Sequence, residues 1–495
     1  MFKKQLQKRI SLFVFSLAVS FITYGFALTN YTLTVDSESP IYPDYSMGLG
    51  RWGTNLIRYK LCDGLLPYFT LLFGLVFLSL AAIEIVKIFK IKSFYSYAFC
   101  LFFLTLPQHS YQLAFTMQAD AVPIGFFCGV LAVSIFINTV SSKKRTTLKI
   151  ISLLLSLFLI TFTISIYQAL VFIPVIVYLI YFFIISFEKE FQIKRELINL
   201  VYFIILMIFS GVLYFITVKL FCPPIESGYL STYASGNSSN RFVDFYNLWV
   251  DNIRGDFYYG NKTYLLSSIA SLFLLYYIIK EKRNVVIKII SLLVILIMPF
   301  IISFFITNGS HPPRLYVASS IVFGFILVKL FQILPYKYLQ QLLFITILIG
   351  LINIYYVTNL FYSSNKIFNH DLNIARNINS TIENKFSDFN PNLNYVYFYG
   401  ALPSINHDKL KIPNSDVFSG SLFNWDGGNN WRIINFFRVN DIAYYKFLDN
   451  KEAFDKVKDS IQAMPIWPNK EAIRKFDNVI VVKIGESAGA PLPFQ

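Results

Sequence analysis

The chain has 495 residues, of which 55% are hydrophobic, 18% aromatic and 14% charged, where an ordinary soluble protein carries about 25% charge. With its uninterrupted apolar runs of about 20 residues, this composition excludes a globular or disordered soluble chain and requires a mainly α, polytopic membrane protein. The 43 basic and 28 acidic side chains leave a net charge of +15, which would suit nucleic acid, but the placement of the charges points to membrane topology instead.

Apolar windows between charged breaks predict eleven transmembrane helices, at about 10–30, 66–86, 93–107, 119–140, 148–164, 167–187, 197–220, 264–280, 285–307, 315–334 and 339–362. Two of them, 93–107 and 148–164, are short for a span. The connections alternate in charge: 20 Lys and Arg fall on the side that holds Lys3, Lys87, Lys143, Lys144 and Lys280, and seven on the side that holds Arg51 and Arg314. The basic-rich side is therefore cytoplasmic, the N-terminus lies inside, and an odd number of spans carries the C-terminus outside. Residues 363–495 hold 15 basic and 14 acidic side chains, the balance of a soluble domain. The surplus is topological, and no nucleic-acid partner is required. The first apolar run follows basic residues as a signal peptide does, but it is too long and lacks an Ala-x-Ala end, so it reads as a retained anchor.

The expected organisation is a transmembrane domain over 1–362, with outer loops 31–64 and 221–263, followed by a small α/β extracytoplasmic domain over 363–495. In that last part Phe368, Leu372, Ala375, Ile378, Ile382 and Phe386 recur at helical steps, and Tyr395–Tyr399 and Val479–Ile484 read as strands. No internal repeat is evident, which weighs against an inverted-repeat transporter. Cys100 and Cys128 fall within spans, while Cys62 and Cys222 both map outside and could form a disulfide. The four His, at 109, 311, 370 and 407, are scattered, and no metal site is expected.

Loop 31–64 opens with two carboxylates at the membrane surface, Asp36 and Glu38, continues through Asp44, and reaches Gly50-Arg51-Trp52-Gly53. There Trp52, Leu56 and Tyr59 share a face that suits an interfacial helix, with Arg58 and Lys60 toward water or lipid phosphate. Asp120 stands at the outer mouth of the fourth span, Tyr167-Gln168 in the hairpin after the fifth, and His311-Pro-Pro-Arg314 in the turn before the tenth. Each has a plain explanation: Asp120 as a helix-start acid, Gln168 as a turn residue, Arg314 as a headgroup anchor. Polar residues at four outer mouths together suggest one outward cleft. Substrates there must be dissolved in or tethered to the bilayer, and a lipid-phosphate sugar is the obvious class. An arginine fork suits the departing phosphate, and a carboxylate such as Asp36 suits the acceptor's proton. One base and one leaving phosphate imply single displacement with inversion. Loop 221–263, with Tyr229, Tyr233 and Trp249, reads as an aromatic belt or, more sharply, as a glycan groove. The run Phe423-Asn-Trp425-Asp-Gly-Gly-Asn-Asn-Trp431-Arg432 has the same two readings, a Gly-rich turn packed by Trp or a sugar platform.

Asp36, Gly50-Arg51-Trp52, Ile166-Tyr167-Gln168-Ala169, Pro313-Arg314 and Phe423-Asn-Trp425-Asp, in this order, resemble the Gtr-type serotype-converting O-antigen glucosyltransferases, the glucosyl transferase GtrII family. The resemblance runs along nearly the whole chain. It implies a GT-C-like enzyme of the bacterial inner membrane, with catalysis in the 1–362 domain. The enzyme would move glucose from undecaprenyl-phosphate glucose to a lipid-linked O-antigen sugar on the periplasmic face. By position, Asp36 would be the base or an acceptor-orienting acid and Glu38 its neighbour or substitute. Arg51 and Arg314 would bind donor phosphate, and Tyr167 and Gln168 would line the cleft with Asp44, Asp120 and His311. Trp249, Trp425 and Trp431 are candidate glycan contacts. No cofactor is expected; the partners are the polyprenyl-phosphate sugar, the lipid-linked acceptor and membrane lipids.

Two other classes use similar surfaces. A flippase for lipid-linked glycans would want polar residues along a whole pore, yet the cytoplasmic halves of these spans are almost purely apolar. A membrane acyltransferase would want a His or Ser nucleophile arrangement, and His109 and His311 have no partner by spacing.

Overall fold

A computed structural model of the chain describes residues 2–38, 43–62, 66–142, 145–223, 241–306, 311–391, 393–402, 411–448 and 451–487. Lys143, Lys144, Tyr229, Tyr233, His407 and the side chain of Asp44 lie outside what it describes. The chain forms two compact units, one of residues 1–29 and 42–359, the other of 30–41 and 360–495.

The first unit is a bundle of apolar helices. Nine helices of the described residues are long and apolar enough to cross a membrane: Leu6–Thr29, Pro67–Ile88, Ala121–Val140, Thr146–Ile166, Gln168–Ile185, Ile193–Phe221, Asn261–Glu281, Val285–Phe305 and Tyr336–Lys385. Two of the eleven expected spans fall short. Phe94–Thr105 has 12 residues and Ser319–Ile333 has 15, a rise of roughly 18–22 Å against about 30 Å of hydrocarbon. Proline sets both limits: Pro107 cannot continue the first helix, and Pro312-Pro313 holds the chain in extended and 3-10 conformation ahead of the second. These two helices are the most enclosed of the bundle. Phe99, Phe102, Phe103, Ile321, Val322 and Phe323 are fully buried, and Gly324 lies against the ring of Phe99. A helix apolar on every side is what such a position demands. The expected short span at 148–164 is instead the full-length helix Thr146–Ile166. All four cysteines are free, so the disulfide considered for Cys62 and Cys222 is not formed.

The second unit is built on the continuation of the long helix Leu339–Lys385 and on a four-stranded sheet. The strands are β1 (Tyr395–Tyr399), β2 (Lys446–Phe447), β3 (Ile473–Phe476) and β4 (Val479–Lys483), in the order β2-β1-β4-β3. β1 runs parallel to β2 and β4, and β3 is antiparallel to β4. The helical stripe of Phe368, Ala375, Ile378 and Ile382 packs with Val396, Phe398, Ile480 and Val482 from the sheet. Leu33 and Val35, distant in sequence, complete this core. Asn365 donates its amide to the Tyr31 carbonyl at 3.1 Å and the Thr32 hydroxyl at 2.9 Å, and the Tyr31 ring meets Phe368 edge-on. Residues 30–41 thus belong to the same compact unit as the C-terminal region, not to the bundle that flanks them in sequence.

Candidate active site

In the helical bundle, the Gly50-Arg51-Trp52-Gly53 segment meets the Tyr167-Gln168 hairpin. Arg51 Nε donates to Gln168 Oε1 at 3.3 Å, and the guanidinium carbon lies 4.8 Å from the centre of the Tyr167 ring. Gln168 Nε2 in turn donates to the Leu49 carbonyl at 2.8 Å and the Tyr214 hydroxyl at 3.0 Å, and Tyr214 reaches the Gly50 carbonyl at 3.3 Å. The local backbone permits this closeness through two glycines. Gly50 has φ +72°, and a Cβ on Gly53 would stand 2.4 Å from Ser165 Oγ. Trp52 donates to Thr217 Oγ1 at 3.1 Å and Thr54 to the Ile166 carbonyl at 2.7 Å, which fastens the segment on both sides. Among the described residues no carboxylate pairs with Arg51. A guanidinium balanced only by an amide oxygen and a ring face keeps its full capacity for a phosphate.

Arg58 is placed differently from expectation. The π-helical turn Leu56–Leu61 puts Ile57 and Arg58 on the buried side and Leu56 and Lys60 on the exposed side. Arg58 is 2% exposed and its Nη2 lies 2.6 Å from Asp120 Oδ1, with Thr70 and the Thr116 carbonyl as further acceptors. Asp120 also accepts from the Ala121 N–H as the N-cap of helix Ala121–Val140. In the turn Pro313–Tyr316, the Gln108 amide donates to the Pro313 carbonyl and accepts from Ser319 at 3.2 Å. The Arg314 guanidinium lies 5.0 Å from the Phe115 ring centre. His311 Nδ1 and the Tyr316 hydroxyl are 3.0 Å apart. Burial pushes the His311 imidazole below its usual range, with the Asp244 carboxylate opposing. Trp249 gives its indole N–H to the Leu296 carbonyl at 3.2 Å, so its polar edge is engaged within the bundle. Asp44 falls in the short helix Pro43–Gly48.

Asp36 and Glu38 lie in the other unit. The Ser37 N–H bonds the Thr34 carbonyl at 3.0 Å in a tight turn, which puts Asp36 at φ +71°, a conformation that Asp tolerates better than most side chains. Facing them is the run 423–432. Gly428 has φ +85°, and a Cβ there would stand 2.0 Å from the Gly400 carbonyl oxygen, so only glycine fits. The next residue, Asn429, caps helix Asn430–Val439 by accepting from the N–H groups of Trp431 and Arg432. The capped first turn aims Arg432 at the acids. Its Nη1 is 2.8 Å from Asp36 Oδ1 and also pairs with Glu38 Oε1, and its Nε is 2.8 Å from Asp426 Oδ2. The Glu38 side chain is fully buried, whereas those of Asp36 and Asp426 are 41% and 44% exposed. Burial pushes the Glu38 carboxyl up to about 7, opposed by the Arg432 charge and reinforced by Asp36. The Arg432 guanidinium, though disfavoured by burial, is held charged by Glu38, Asp36 and Asp426. Trp425 packs against Gly420 and the domain core, and Trp431 is 36% exposed.

The structure therefore brings Arg51, Tyr167 and Gln168 together in one unit, and Asp36 and Glu38 together in the other. Tyr214 went unnoticed in the sequence, and Asp426 and Arg432 were read only as members of the run 423–432. The Gly-rich turn before Arg432 was visible as a turn, but nothing in the sequence ties it to Glu38, 394 positions away, or to Asp36.

Comparison with known proteins gives a family. The family model described as glucosyl transferase GtrII matches residues 25–331, more than half of the chain. No curated protein and no solved structure matches.

Proposed function

The chain belongs to the glucosyl transferase GtrII family, and from that membership we propose that it transfers a hexose, glucose by family, from a polyprenyl-phosphate donor to a lipid-linked O-antigen or other surface glycan. The reaction would occur on the periplasmic face of the bacterial inner membrane, in a GT-C-like architecture. The observation that carries the reading is a half-exposed Asp36 carboxylate in a family member whose Arg51 guanidinium, among the described residues, has no carboxylate partner. A bundle of apolar helices also favours substrates carried by lipid.

In this reading the acceptor hydroxyl attacks the anomeric carbon of the donor hexose and Asp36 takes the hydroxyl proton. The glycosidic bond forms as the bond to the phosphate oxygen breaks, and polyprenyl phosphate leaves with the electron pair. The single displacement inverts the anomeric centre. Arg51 is assigned to the leaving phosphate, placed over Tyr167 and bonded to Gln168, with Arg314 as a second cation for the same group. Glu38 is too deeply buried to meet an acceptor and serves as Asp36's neighbour rather than its substitute. Trp431 and Trp425 are assigned to the acceptor glycan, as is Trp249.

The test is transfer of glucose from undecaprenyl-phosphate glucose to a lipid-linked O-antigen repeat in membranes carrying the protein, with mass spectrometry and NMR of the glycan. A new glucose branch of inverted anomeric configuration is expected, lost in Asp36→Asn. Full turnover in both Asp36→Asn and Arg51→Ala would remove the assignment.

A further inference from the structure

Arg432 is the centre of an arrangement that donor binding does not explain. Three carboxylates surround one guanidinium, so the cluster with all acids ionised is net negative and repels a phosphate. The same nitrogen, Nη1, serves Asp36 and Glu38, while Nε is anchored on Asp426. The guanidinium is planar and rigid, so fixing Nε fixes the direction of Nη1. Its own backbone is held by the Asn429 cap, and the preceding turn admits no side chain at Gly428. On the other side, Val35 is buried in the unit's core one residue before Asp36. Both ends of the Asp36–Arg432 contact are thus held by the fold, whereas Asp36 itself stands half exposed at the tip of a turn.

We propose that Arg432 is a positioning residue for the transfer reaction: it orients the Asp36 carboxylate toward the acceptor hydroxyl and divides its charge between Asp36, the buried Glu38 and the exposed Asp426. The proposal rests on the reading of Asp36 as the base. Glu38 acts only through Arg432, since its side chain has no exposed surface. The groups facing Glu38 are Arg432 and Asp36, and those facing Arg432 are the three carboxylates. Removing the cation leaves Asp36 free to rotate and Glu38 buried without its counter-charge. Removing Asp426 releases the Nε anchor, so that the direction of Nη1 is no longer fixed.

These losses of position make the test. The kcat and donor KM of glucose transfer from undecaprenyl-phosphate glucose are measured in membranes for wild type, Asp36→Asn, Arg432→Gln, Arg432→Lys and Asp426→Asn. Arg432→Gln should lower kcat about a hundredfold, the scale of a misplaced reacting group, with donor KM changed by no more than about twofold. Asp426→Asn should lower kcat by less, and Arg432→Lys should restore part of the rate. The donor KM does not depend on how much enzyme folds. An unchanged kcat in Arg432→Gln, or a donor KM that rises in step with the loss of kcat, overturns the role of Arg432 while an inactive Asp36→Asn leaves the base intact. An Asp36→Asn enzyme with wild-type turnover removes the base itself.

Discussion

Arg51 and Arg432 are the same side chain put to opposite uses. Arg51, in the bundle, is met by one amide oxygen and the face of Tyr167, and among the described residues by no carboxylate. Arg432, in the sheet-bearing unit, is met by Asp36, Glu38 and Asp426. The surroundings decide what each guanidinium can do: the first can accept an anion as a ligand, and the second is already committed to the acids it holds. Arg58 is a third case, paired with the buried Asp120 and bonded to Thr70 and the Thr116 carbonyl. Counting arginines does not separate these roles; their neighbours do.

The sharpest way to break the comparison is kinetic. Asp36→Asn is expected to lower kcat by about a thousandfold, within the range for a lost general base, while Arg51→Ala should act mainly through donor KM. Steady-state transfer rates across donor concentrations separate the two, and a pure KM effect of Asp36→Asn would reverse the assignments. Next in size is Arg58→Met, which strands a buried Asp120 and should cost about 3–5 kcal/mol of stability, much of it recovered when Asp120→Asn is added. Thermal unfolding of the detergent-solubilised protein reports both. If Arg58→Met instead left stability intact and removed donor binding, Arg58 would join Arg51 as a ligand cation.

A pH experiment sharpens the other side. Glu38 has its carboxyl raised from 4.5 to about 7 by burial, so the folded protein binds a proton that the unfolded chain has already lost in that interval. The corresponding stability is present below pH 4.5 and is lost as pH rises toward 7, by about 3 kcal/mol at about 1.4 kcal/mol per unit. Glu38→Gln keeps the shape and cannot titrate. Its melting temperature should therefore fall less than that of wild type between pH 4.5 and 7. Equal slopes would place the pH dependence on another group.

Much of the membrane fold was legible because its signal is local. An apolar run of about 20 residues needs no partner to be recognised, and helices occur at all eleven expected positions, though two are too short to span. The helical stripe from Phe368 to Ile382 and the strand Tyr395–Tyr399 were equally local. What stayed hidden was long-range. Arg58 was read as facing water or lipid phosphate with Lys60 because both are charged, but the turn over Leu56–Leu61 buries Arg58 and leaves Lys60 exposed. Leu33 and Val35 were read as loop because a two-residue apolar alternation is too short to announce a core; only the helix and sheet from the far end of the chain give them one. For the same reason Arg432 was read as part of a turn, since its meaning lies in Asp36 and Glu38.

The smallest of the expected effects tests whether Arg51 is held as tightly as Arg432. The Gly53→Ala methyl would stand 2.4 Å from Ser165 Oγ and 3.1 Å from the Ile166 backbone nitrogen. Ser165 can turn aside but the backbone cannot, so the variant should lose about 1–3 kcal/mol and raise the donor KM by displacing Arg51 from Tyr167. Gly211→Ala, in helix Ile193–Phe221 with nothing near its Cβ position, serves as the control and should gain up to about 1 kcal/mol. If Gly53→Ala lowers the melting temperature without touching donor KM, the segment is a structural clasp and the cation for the phosphate is not Arg51. If both move together, the glycine that lets the hairpin approach also sets the place of the guanidinium above its ring.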